Sequence, residues 1–111
     1  MAQPHATSGQ IVNVGPLGDA LQDARTQALI KAGQLEVARL VLPAGKGLPE
    51  HRVRGEITIQ CIEGRVEVVA HGATQILVAG DWMHLAAGAP HALRALSDAS
   101  LLLTICLAAP D

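Results

Sequence analysis

Two histidines stand where a side chain can be held for chemistry. His51 and His91 each follow a loop rich in Gly and Pro and open a strand-like run. An imidazole fixed by a tight turn at the mouth of a strand can ligate a metal or exchange hydrogen bonds with a small molecule. Glu56, His84 and Gln60 complete the candidate pocket set, while His71 and His5 read as turn and tail residues. Arg52, Arg54 and Arg94 add positive charge near the same loops, either as a solvated rim or to steer an anionic ligand. Cys61 lies on an Ile-rich face, where a raised pKa and low reactivity are expected. There is no phosphate loop, no CxxC and no defensible Ser/His/Asp arrangement.

The elements that must position these groups are β-strands. Ile57–Ile62 alternates β-branched and polar residues and stops at Glu63-Gly64. Arg65–Ala70 follows with Val66 and Val68 on one face and Arg65 and Glu67 on the other. Ala28–Lys31 and Leu35–Leu42 read as a hairpin across a Gly turn, with Pro43–Gly47 ending its second strand. Further strands are expected at Thr74–Ala79, Trp82–Leu85 and His91–Leu96, and a buried central one at Ser100–Leu107. Upstream, residues 1–10 read as a poorly ordered tail and Ile11–Val14 as a short edge strand. Asp19 is placed as the N-cap of a helical turn or two. About seven or eight short strands separated by turns indicate an all-β sandwich or barrel.

Composition bounds the function. A chain of 111 residues, half of them hydrophobic, holds one domain and one core, taken here as 11–111. With one Trp, no Phe or Tyr and a net charge of −2, it offers neither stacking platforms nor a phosphate-binding face, so no nucleic-acid partner is expected. No apolar run approaches a membrane span, and the first ten residues lack the basic start and apolar stretch of a secretory signal. A cytoplasmic protein with Cys61 and Cys106 reduced is expected. The share of apolar residues also predicts a homodimer.

The glycine spacing resembles two motifs of the cupin superfamily. Gly45, His51 and Gly64 match the first motif (45–64), and Gly80-Asp81, Gly88 and Pro90-His91 match the second (80–95). The 15 residues between Gly64 and Gly80 are similar to the spacer of small single-domain bacterial cupins. The resemblance implies an antiparallel jelly-roll β-barrel with at most a short N-terminal helix, paired into a dimer through sheet contacts. It also implies a pocket at the barrel mouth holding one divalent metal on three histidines and a glutamate. Here His51 and His91 take two of those positions and would face each other across the mouth. Val53 and Ile57 stand at the other two, and Ala86 and Ala95 replace the Pro and Asn of the second motif.

What the resemblance implies is therefore a small-molecule-binding cupin with a degenerate metal site, His51 and His91 holding at most one weakly bound Fe, Mn, Ni or Zn. The alternative is a metal-dependent cupin enzyme, a dioxygenase or isomerase acting on a small organic substrate. It would need Glu56 re-aimed by a bulge at Gly55, or His84, as a third ligand. A third reading, a partner-binding β-sandwich, would leave no enclosed pocket between His51 and His91.

Overall fold

A computed structural model describes residues 5–107. Among the described residues, nine strands follow one six-residue 3₁₀ helix, Gly18–Asp23. They are β1 (Gln27–Lys31), β2 (Leu35–Leu42), β3 (Gly47–His51), β4 (Ile57–Glu63), β5 (Arg65–Ala70), β6 (Ala73–Val78), β7 (Trp82–Leu85), β8 (His91–Ala95) and β9 (Ala99–Cys106). Every pairing is antiparallel. The strands form a five-stranded sheet in the order β1-β2-β9-β4-β7 and a four-stranded sheet in the order β3-β8-β5-β6. The protein is an antiparallel jelly-roll β-barrel.

Alternation decides which side chains fill it. Ile57, Ile59 and Cys61 of β4, Val66 and Val68 of β5, Leu93 and Ala95 of β8 and Leu101 of β9 are buried between the sheets. Between the end of β4 and the start of β5 the chain passes from one sheet to the other over one residue, Gly64. Its φ of 82° favours glycine, and a Cβ there would fall 2.2 Å from the Asp98 carbonyl oxygen.

β9 is central in its sheet, as expected, but only its first three residues are fully buried. Gly47–His51 is a separate strand on the edge of the other sheet, so His51 ends a strand instead of opening one, whereas His91 does open β8. Ile11–Val14 is not a strand, and Ile11 is 94% exposed. Asp19 lies inside the first turn of the 3₁₀ helix rather than at its cap. The Glu63 carboxylate takes the capping role from a distance, accepting the N–H groups of Leu17 (3.0 and 3.1 Å) and Gly18 (3.1 Å). Of the tail, residues 1–4 lie outside the described residues. Beyond them the Ala6 N–H donates to the Leu29 carbonyl at 2.8 Å, and Gln10 N–H closes a turn onto Thr7.

Candidate functional site

His51 and His91 are brought together by an irregularity in the sheet. Along β8, His91 and Leu93 are two residues apart and both face the core. On β3, Leu48 pairs with Leu93 and packs on that core, so a regular ladder would turn His51, three residues on, to the opposite face. One extra residue in β3 corrects this, and His51 pairs directly with His91. Pro49, within the bulge, has no N–H to lose, and β3 is an edge strand where proline is tolerated.

The two rings lie with centroids 4.4 Å apart, tilted by 55°. They are neighbours on adjacent strands of one sheet, rather than facing each other from opposite sides of an opening. His91 is buried at 3% exposure, and His51 is exposed. Each ring places Nδ1 at 3.0 Å from the carbonyl oxygen two residues earlier, Pro49 for His51 and Ala89 for His91. A carbonyl only accepts, so in the neutral rings the proton sits on Nδ1 and Nε2 carries the lone pair. The pair thus offers two ring-nitrogen acceptors, one sheltered and one open to solvent.

The other positions implied by the cupin motifs are spent on packing. Val53 lies against the hydrophobic core, and its carbonyl accepts the Gly88 N–H at 2.9 Å, tying the loop before His91 to the segment after His51. Ile57 is 3% exposed, opposite Leu85 and Ile105.

Glu56, His84 and Gln60 belong elsewhere. Ile57 faces the core, so Thr58 and its partner His84 point outward, as do Gln60 and its partner Trp82. Glu56 Oε1 meets His84 Nε2 at 2.7 Å, on a solvent-exposed part of the outer face. No bulge forms at Gly55, which sits in a bend before β4. Glu56 and His84 therefore pair with each other and do not supply the histidine pair with a third ligand. Among the described residues, no group of three or more His, Cys, Asp or Glu side chains is arranged to hold a metal ion. The donor set fits at most two protein ligands completed by water, and does not fit a three-ligand catalytic centre.

Arg52 and Arg54 are exposed, and Arg94 lies outward on β8 opposite Glu67. Cys61 is fully buried, its Sγ 3.5 Å from the carbonyls of Glu63 and Gly64. Burial pushes its thiol pKa up, and the Asp81 carboxylate adds to that shift.

A second polar cluster was not legible in the sequence. Arg39, from the apolar run of β2, is 8% exposed on the outer side of the five-stranded sheet. It donates to Ser100 Oγ at 3.4 Å, and the Ser100 hydroxyl donates to Glu63 Oε2. A charged residue between the apolar Val37-Ala38 and Leu40–Leu42 was the one available signal. A cavity of about 390 Å³ opens beside Arg39, beneath the N-terminal segment; neither His51 nor His91 lines it.

Residues 38–107 match the family model for the cupin domain. No curated protein matches. Among solved structures, a conserved protein of unknown function from Streptococcus pyogenes is 21% identical over 100% of this chain and 99% of its own, with a TM-score of 0.75. A cupin superfamily protein from Desulfitobacterium hafniense is 16% identical over 75% of this chain and 76% of its own, with a TM-score of 0.72. Salicylate 1,2-dioxygenase from Pseudoaminobacter salicylatoxidans is 23% identical over 72% of this chain but only 26% of its own, with a TM-score of 0.62. At these identities the structures speak to the fold. The family match covers most of the chain, and with the two-sheet barrel it establishes that this protein belongs to the cupin family.

Proposed function

We propose that the protein binds a small organic molecule at the histidine pair, with a metal site reduced to two protein donors. The contact between the His51 and His91 rings carries this reading, because both Nδ1 protons are taken by carbonyls and both Nε2 atoms remain as acceptors. Such a pair suits a ligand that donates an O–H or an acidic proton. The exposed ring meets it first and the sheltered one holds it away from water. A divalent ion held by the same two nitrogens would be loosely bound. The enzymatic alternative needs a third ligand, and Glu56, the carboxylate expected to serve as one, is bound to His84.

The protein is further proposed to work as a cytoplasmic homodimer. The supporting features are Trp82, 60% exposed on the edge strand β7, and the half-buried outward residues Leu102 and Thr104 of β9. Light scattering at micromolar concentration is expected to give the dimer mass. A monomer mass unchanged on dilution would refute it.

The test of the site is elemental analysis of protein purified without a His-tag, before and after dialysis against chelator. It is paired with NMR of the histidine rings during titration with hydroxylated and acidic fragments. Substoichiometric, chelator-labile metal and fragment-dependent shifts at His51 and His91 are expected. A stoichiometric ion that survives the chelator, or ring signals unmoved by every fragment, would overturn the reading.

A further inference from the structure

We infer that the cavity beneath the N-terminal segment is a second binding site, for a small carboxylate-bearing molecule, with Arg39 as its anion-holding group. Its volume of about 390 Å³ is in the range of small-molecule pockets. Its floor is the outer face of β1 and β2, where Gln27 and Arg39 are direct cross-strand partners and share a face. Its roof is the segment running from Gln10 through Asn13 to Leu17, and Arg25 stands at its exposed rim. Polar side chains are thus set against the apolar Leu29 and Leu17, which suits a ligand with a carboxylate at one end and hydrocarbon at the other.

The guanidinium of Arg39 is the group that would hold the anion. At 8% exposure a guanidinium ordinarily has a carboxylate partner. Its contacts here are two long ones, to Ser100 Oγ at 3.4 Å and to the Asn13 carbonyl at 3.5 Å. Among the described residues no carboxylate oxygen comes within 4.0 Å of it. Glu63 is the nearby acid, but its oxygens already accept from Leu17, Gly18 and Ser100, and Ser100 stands between the two charges. The arginine is thus positioned by Ser100 and Asn13 while its donors remain available for a planar, bidentate acceptor. Asn13 is itself held, its Oδ1 accepting the Gly15 N–H at 2.8 Å.

The experiment is an NMR titration of the full chain with benzoate, with benzamide as the uncharged control, reading backbone amides and the arginine Nε–H signals. Benzoate is expected to give saturable shifts at Arg39, Asn13 and Gln27, and benzamide is expected to leave them largely in place. Arg39→Lys, which keeps the charge but loses the fork, should weaken benzoate by about tenfold or more. If that variant fails to fold, Arg25→Gln at the exposed rim decides, with an expected weakening of about two- to threefold. Equal shifts from benzamide, shifts centred on His51 and His91, absence of saturation, or undiminished affinity in a folded variant would each overturn the proposal.

Discussion

Gly55 is seated against the backbone of Cys106 so closely that a Cβ would lie 1.9 Å from the Cys106 carbonyl oxygen. The next residue, Glu56, accepts the Cys106 N–H at 2.9 Å, so this contact sets the register at which β4 begins beside the end of β9. Gly55→Ala is expected to cost about 2–3 kcal/mol, because the obstacle is backbone and cannot rotate away. Chemical denaturation should show a lower midpoint with an unchanged slope. A variant as stable as the parent would mean the strand start is not held as tightly as the contact indicates.

The histidine pair should lose divalent ions all at once. With only two protein nitrogens available, His51→Gln and His91→Gln are each expected to abolish measurable Zn²⁺ or Ni²⁺ binding, and the double substitution should add nothing. Calorimetric titration of the three variants checks this. Retained affinity in either single variant would point to a ligand outside the pair.

Acid should loosen the N-terminal segment. Burial alone would push the Glu63 carboxyl up, but the Leu17, Ser100 and Gly18 donors and the charge of Arg39 outweigh it, and the group is held below its ordinary 4.5. A carboxyl depressed by folding contributes stability that is complete above its unfolded value and is lost as pH falls through the folded one. The wild type should therefore lose stability below about pH 4.5. Glu63→Gln should be less stable at neutral pH by about 1–3 kcal/mol and flatter in that acid window. Parallel wild-type and variant profiles would contradict the role assigned to the carboxylate.

Thiol labelling should separate the cysteines. Cys61 is fully buried with its pKa raised, whereas Cys106 is partly accessible. Iodoacetamide at mildly alkaline pH is expected to modify Cys106 in the native protein and Cys61 only in denaturant. Peptide mapping that finds Cys61 alkylated first would show that the barrel opens readily at β4.

Much of the barrel could be read from periodicity. Arg65–Ala70 and Trp82–Leu85 have the bounds expected of them, because alternating residues at a half-buried sheet leave a period of two in the sequence. β3 escaped because Gly-Leu-Pro-Glu-His lacks that period, and its one proline argues for a loop unless the strand is known to be an edge. Ile11–Val14 has the composition of a strand but pairs with none of the described strands. The association of His51 with His91 followed from the motif spacing. The pairing of Glu56 with His84 depends on the register between β4 and β7, which no local pattern records. Arg39, Ser100 and Glu63 come from three strands far apart in the chain, and nothing in any one run announces the other two.

The extra residue in β3 makes the place of His51 a question of parity. Along a regular strand, odd and even steps lead to opposite sides of the wall, and the bulge converts an odd count from Leu48 into an even one. Substitutions at Pro49 or Glu50 would leave that count alone, whereas loss or gain of one residue there would reverse it. The imidazole would then be carried outside while the strand, its partner and the core stayed in place. An intact barrel with a correct composition could lose its binding chemistry through arithmetic alone.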